Sequence, residues 1–382
     1  MKRKKWLAWI LCASMIFLLV SCNGVGNSES EEHSQQTSES LSPEEQILAE
    51  NEAFLATVSY LDYELTGEES PYFAGRWFEK KINGIKHHVT LTDGSAFYFL
   101  ISGSESFDVN FTVITSKEVP YFAYSIDGGE PVRQHITESK VVLPDSGKHT
   151  VRIIADGMTE SENKWRDEKG FALKSVVPAQ GGTVFGIRPR NKVVFYYGDS
   201  ITEGVRALNM SATSNGNSAT NAYPWFCSEK LGAVTYSVGY GASGITVPGS
   251  FNTFKEAIDY NSLGRPVDDG VIPDVIVINH GTNDRNASEE TFKTELIRAV
   301  QRLREKYPDV PVVYMIPFNQ SRAQTIAEAM SSFENAYVVQ TAGWNITYTD
   351  IYHPNPAGAK IAGENLAEEL IDILGEEFFS RS

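Results

Sequence analysis

From Lys192 to the C-terminus, short apolar runs alternate with stretches of helical periodicity, and this alternation restricts the fold more than any other feature of the chain. The runs are Val193 to Tyr197, Val234 to Val238, Val275 to Asn279, Val312 to Ile316 and Ala336 to Val339. Ser288 to Lys306 and Ala357 to Leu374 carry helical spacing between or after them. Strands that alternate with helices predict a parallel sheet with helices on both faces. Upstream, between about Tyr60 and Pro189, the pattern differs. Ala96 to Ile101, Phe107 to Thr115, Tyr121 to Ile126 and His149 to Ile154 are rich in β-branched and aromatic residues. Asp93-Gly94, Asp127-Gly128-Gly129 and Asp145-Ser146-Gly147 punctuate them with turn chemistry, which predicts an all-β sandwich or jelly roll. A chain of 382 residues accommodates both parts, an N-terminal helix plus β domain over 43–189 and an α/β domain over 190–382.

The first 42 residues belong to neither. Lys2, Arg3, Lys4 and Lys5 precede an apolar run from Trp6 to Val20, shorter than the roughly 20 residues that cross a bilayer, so residues 1–21 read as a signal peptide. Leu19-Val20-Ser21-Cys22 resembles the bacterial lipobox, which makes Cys22 a candidate for lipidation; the alternative is an uncleaved anchor followed by an ordinary cysteine. Residues 22–42 are mostly Ser, Glu, Gln and Gly, a composition that cannot offset the entropy of ordering, and they read as a disordered tether. The expected location is extracytoplasmic, lipid-anchored to a bacterial cell membrane. Ser42-Pro43-Glu44-Glu45 supplies an N-cap, a proline at the first helical position and a glutamate three residues after the cap, predicting a helix to about Thr57.

A net charge of −16 has the wrong sign for neutralising phosphates, so no nucleic-acid partner is expected. Of the three cysteines, Cys12 leaves with the signal and Cys22 takes the lipid, so Cys227 remains alone and reads as a buried, inert thiol. Seven histidines without metal-ligand spacing give a metal site no support, and no cofactor is implied.

In an open α/β sheet the chemistry sits just beyond the carboxyl ends of the strands. Four blocks stand there: Gly198-Asp199-Ser200, Gly239-Tyr240-Gly241-Ala242-Ser243-Gly244, Gly281-Thr282-Asn283-Asp284 and Asp350-Ile351-Tyr352-His353. A serine hydroxyl is nearly inert at neutral pH and needs a base, and an imidazole, with an unperturbed pKa of about 6.5, suits that task at His353. Asp350, three residues earlier, can turn back to accept the other ring N–H, which selects the useful tautomer. Singly, each residue has a plainer reading: Ser200 as a helix cap, His353 as a loop histidine, Asn283 and Asp284 as turn formers. His280 reads as structural.

The four blocks, in this order, resemble the SGNH or GDSL hydrolase family from about Lys192 onward. The resemblance implies a flavodoxin-like parallel sheet, a catalytic Ser200, Asp350 and His353, and an oxyanion hole made by the backbone N–H of Ser200, the backbone N–H of Gly244 and the side-chain amide of Asn283. Relatives often carry Asn where this chain has Gly239, which leaves Gly241 as the alternative to Gly244. Asp199 and Asp284 would hold their loops. The β-rich part adds a further likeness. Gly75-Arg76-Trp77, Ile101-Ser102-Gly103, Ser125-Ile126-Asp127-Gly128-Gly129 and Gly147-Lys148-His149-Thr150 resemble the N-terminal jelly roll of carbohydrate esterase family 2, whose members deacetylate polysaccharides. The implied activity is serine carbohydrate O-acetylesterase on an acetylated carbohydrate, with Trp344 as a candidate wall of the substrate cleft. Acetyl transfer to another sugar hydroxyl is the rival enzyme reading, and a catalytically silent glycan-binding lipoprotein is the reading from another class.

Overall fold

The computed structural model describes residues 41–249 and 252–380. The signal peptide 1–21, the lipidation candidate Cys22 and the tether up to residue 40 lie outside the described residues. Helix Pro43–Leu55 opens the described chain with the expected reciprocal cap between Ser42 and Glu45. No described helix is long and apolar enough to cross a membrane.

Two antiparallel sheets follow. One contains Tyr63–Leu65, Thr183–Pro189, Ala96–Ser102, His149–Gly157, Tyr121–Ile126 and Val132–His135 in that spatial order, with Tyr72–Ala74 also paired to Ala96–Ser102. The other runs Trp77–Ile82, Ile85–Thr90, Phe171–Pro178, Ser106–Phe111, Lys140–Val142. Their facing residues interleave in one core, with Phe99, Val151 and Ile153 from the first sheet meeting Phe107, Val109 and Leu173 from the second. Two packed antiparallel sheets are what the β-branched and aromatic runs and their turn residues predict. One strand is shorter than expected. Ser106–Phe111 stops before Thr115 because the chain leaves the ladder after Thr112, and the N–H groups of Ser116 and Lys117 turn instead to the carboxylate of Glu162.

The α/β part is a five-stranded parallel sheet ordered Val234–Gly239, Val193–Gly198, Val275–Asn279, Val312–Met315, Ala336–Val339. Successive side chains point to opposite faces, and both faces are covered. Phe195, Tyr197, Ile276 and Ile278 pack with Phe292 and Leu296 of helix Glu289–Lys306 and Ile326 of helix Ala323–Met330. Val194, Tyr196, Val275 and Val277 pack with Leu231 of helix Tyr223–Leu231 and Leu366 and Leu370 of helix Pro356–Leu374.

The sandwich is keyed to this sheet by buried charge. Arg152 bonds Glu229 at 2.7 Å and covers the Trp225 ring, while Asp156 takes Arg133 at 2.5 Å and the hydroxyls of Ser218 and Thr220. Arg76, 2% exposed, reaches the Ala257 and Tyr260 carbonyls and the Tyr197 hydroxyl. Leaving any of these partners unpaired in the interior would be costly, so the two parts are held at fixed contacts.

Candidate active site

The strand Val193–Gly198 must turn at once into helix Ser200–Glu203, and Gly198 permits this because a Cβ there would overlap the Thr202 hydroxyl. Asp199 caps the turn, its Oδ1 accepting the Ile201 N–H at 2.9 Å. Ser200 is left at the strand's carboxyl end with its Oγ 2.9 Å from His353 Nε2. His353 Nδ1 lies 2.8 Å from Asp350 Oδ2, so the three side chains that the motifs nominate form one hydrogen-bonded line. Asp350 is itself fixed, for its Oδ1 accepts the N–H groups of Tyr352 and His353 at 2.8 Å each. In this arrangement Nε2 can take the Ser200 proton while the carboxylate supports the imidazolium that results.

One partner of this line escaped the sequence. Arg206 Nη1 donates to Asp350 Oδ2 at 2.8 Å, sharing that oxygen with His353. Burial would raise the Asp350 carboxyl, but the two backbone N–H groups, Arg206 and His353 outweigh it and hold the group well below the usual carboxylate range. Asp350 therefore stays ionised across the working pH. No local signal marks Arg206, because 144 residues separate it from its partner.

The expected oxyanion donors come out differently from one another. Ser200 is the first residue of its helix, where an N–H has no acceptor within the helix. The Asn283 amide lies at the same strand ends but is engaged, donating to the Ser243 carbonyl at 2.9 Å and to Asp199 Oδ2 at 3.2 Å. Gly244 departs from expectation: its N–H donates to the Val247 carbonyl at 2.8 Å, closing a turn, and is spent. The alternative, Gly241, lies against the Glu160 side chain, which a Cβ there would overlap. Glycine is needed at 244 for another reason, since a Cβ would overlap the Asp284 carboxylate. Gly239, where relatives often have Asn, can carry no side chain because the Glu203 backbone occupies that space.

Asp284 holds the neighbouring loop rather than its own, accepting the N–H groups of Ile245 at 3.1 Å and Thr246 at 2.7 Å. Burial pushes the Asp199 carboxyl up to about 7, with Asp284 adding to the rise. His280 is buried and pushed down to about 4 by desolvation, which keeps it neutral and fits a structural role. Cys227 is fully buried, its thiol pushed up to about 12 by the same cause. Trp344 is not placed as a wall of the Ser200 cleft. It packs beside Phe318 at 6.4 Å and, with Asn365, Glu368 and Asp372, lines a groove along helix Pro356–Leu374, where its apolar ring completes that helix's core. Among the described residues no group of His, Cys, Asp and Glu is positioned to hold a metal ion.

Because the Asn283 amide must release its longer bond, to Asp199, before serving an oxyanion, its net contribution is reduced. Asn283→Ala is expected to lower kcat by about 100-fold, roughly 2.7 kcal/mol, with little change in KM. Steady-state rates on an aryl acetate check this, and a change mainly in KM would mark a substrate-binding residue instead.

Residues 196–361 match the GDSL-like Lipase/Acylhydrolase family. No curated protein matches the chain by sequence. Among solved structures it is similar to a family two carbohydrate esterase from Clostridium thermocellum in complex with cellohexaose, at 18% identity and TM-score 0.66 over 80% of this chain and 100% of that one. An acetyl xylan esterase from the rumen bacterium Butyrivibrio proteoclasticus aligns at 16% identity and TM-score 0.62, covering 83% and 100%. A salicylyl-acyltransferase from a tetracycline biosynthetic pathway aligns at 15% and 0.60, covering 81% and 98%. These likenesses extend well beyond the matched segment and show a common two-part fold. The motif blocks at the strand ends and the GDSL-like lipase/acylhydrolase match over residues 196–361 mark this part of the chain as a serine esterase.

Proposed function

We propose that this chain is a carbohydrate O-acetylesterase. Ser200 Oγ attacks the acetyl carbonyl as His353 takes its proton, and the tetrahedral intermediate expels the sugar hydroxyl, which recovers that proton from His353. Water activated by the same imidazole then releases acetate from the acetyl-enzyme. The observation that carries this reading is the hydrogen-bonded line Ser200–His353–Asp350 at the carboxyl ends of the sheet. Fold-sharing with carbohydrate esterases supports a sugar ester as the substrate. In the same proposal Cys22 carries a diacylglycerol, and the tether holds the enzyme at the outer face of a bacterial membrane. A mature charge of −20, once the four basic leader residues are gone from −16, would not adhere to an anionic bilayer unaided.

Acetate release from a panel of acetylated polysaccharides tests the function. An acceptor sugar that captures the acetyl group in place of water would instead favour transfer, the reading that the acyltransferase of the same fold keeps open. A glycan binder would release nothing. Lipidation is tested by metabolic labelling with a fatty-acid analogue, which Cys22→Ala should abolish.

Acyl selectivity follows from the same proposal. With an acetyl-sized site, kcat/KM on aryl esters is expected to fall steeply from acetate to butyrate and octanoate, each unaccommodated methylene costing about 1 to 3 kcal/mol. Comparable rates on octanoate would point to a lipase-like acyl site.

A further inference from the structure

Between the strands His149–Gly157 and Phe171–Pro178 the chain leaves the sandwich and crosses to the hydrolase part. This excursion contains one helical turn, Lys164–Asp167, capped by Asn163. Its conformation is locked by Glu162, whose carboxylate accepts the N–H groups of Ser116, Lys117 and Asn163. From that platform three side chains reach the elements around Ser200. Lys164 forms an ion pair with Glu203, both side chains having no exposure at all. Trp165 meets the Tyr240 ring edge-on at 6.0 Å and joins the core beneath it. Glu160 lies against Gly241 so closely that a Cβ there would have no room.

Glu203 is the last residue of the helix that begins at Ser200, and its backbone lies against Gly239, where the neighbouring strand passes into the Tyr240–Gly244 loop. Lys164 therefore acts on two structures at once, the turn that carries the nucleophile and the loop that follows the neighbouring strand. Asp93, another buried carboxyl nearby, is raised well above its usual range by burial, and the side-chain bond of Lys164 goes to Glu203. A buried ion pair seldom adds stability over an apolar pair of the same shape, whereas it does fix geometry, because each charge is strongly penalised for leaving the other.

We propose that Lys164 is a positioning residue for ester hydrolysis: through Glu203 it sets the Ser200 turn against the Tyr240–Gly244 loop, which makes the β sandwich part of the catalytic unit. The proposal rests on Ser200 as the nucleophile. That reading is checked separately by a fluorophosphonate probe, which should label wild-type enzyme at Ser200; absence of labelling would remove the reading itself, whatever Lys164 does.

Two variants of the mature chain test the proposal. Lys164→Met/Glu203→Gln removes both charges together, and Glu203→Asp keeps the pair but withdraws the carboxylate by one methylene. Both are expected to keep the wild-type circular dichroism spectrum and to unfold well above assay temperature. Each should nevertheless lose at least fivefold in kcat on 4-nitrophenyl acetate, with KM within threefold, and Ser200 should be labelled more slowly by a similar factor. If the double variant does not fold, Glu203→Asp decides alone. A folded variant that loses less than fivefold in kcat, or whose loss lies mainly in KM, overturns the proposal and leaves Lys164 as a structural residue.

Discussion

Ser200→Ala is expected to abolish turnover of aryl acetates and acetylated glycans, a loss of about 10⁴-fold or more, while the fold is retained. The hydroxyl is the group that His353 Nε2 is placed to deprotonate, so its loss removes the activated nucleophile. Its removal costs little elsewhere. Ser200 makes one side-chain hydrogen bond, to His353, and deletion of a single oxygen on a strand-to-helix turn opens almost no cavity, so the thermal midpoint should stay close to that of the wild type. Kinetics, circular dichroism and covalent labelling by a fluorophosphonate check the three parts of this expectation. Wild-type activity in the alanine variant would sink the assignment of Ser200.

Asp350→Asn is expected to be nearly as severe, on the order of 10³-fold to 10⁴-fold in kcat. The carboxylate spends Oδ1 on two backbone N–H groups and Oδ2 on His353 and Arg206, so it accepts four hydrogen bonds and donates none. An asparagine can keep only one oxygen. If that oxygen stays on the backbone, an NH₂ group faces two other donors, the His353 Nδ1–H and the Arg206 guanidinium. The ring escapes this conflict by moving its proton to Nε2, where it points at Ser200 Oγ and can no longer accept the serine proton. Loss of the carboxylate also withdraws support from the imidazolium that forms as the serine proton is taken. Steady-state kcat and KM of the variant measure the loss. A loss of tenfold or less would demote Asp350 to an auxiliary of a Ser200–His353 pair.

Arg206 bears on the same measurement, because it competes with His353 for Oδ2. Arg206→Gln should cost only a few-fold in kcat, as about a third of its side chain is exposed and solvent screens its charge. A variant panel at several pH values separates it from Asp350.

What the residue order alone determined was what depends on near neighbours. Apolar runs bounded by turn residues became strands where expected, from Ala96–Ser102 and His149–Gly157 to all five parallel strands, since side-chain periodicity and turn chemistry act over a few residues. The Asp350–His353 pairing was legible for the same reason: three residues of separation let the chain turn back on itself. The tertiary structure decided whatever joins distant segments. Arg206 meets Asp350 only because the Ser200 turn and the loop before helix Pro356–Leu374 end at the same edge of the sheet. The Gly244 N–H is spent because the chain turns to place the Val247 carbonyl against it, and Trp344 lies along a helix that its own segment does not specify. Lys164 in Asn163-Lys164-Trp165-Arg166 looks like any polar loop lysine; it becomes fully buried only when two domains close over it and Glu203 compensates its charge. Such pairings are chosen by packing and desolvation, which depend on the assembled interior and leave no periodic trace along the chain.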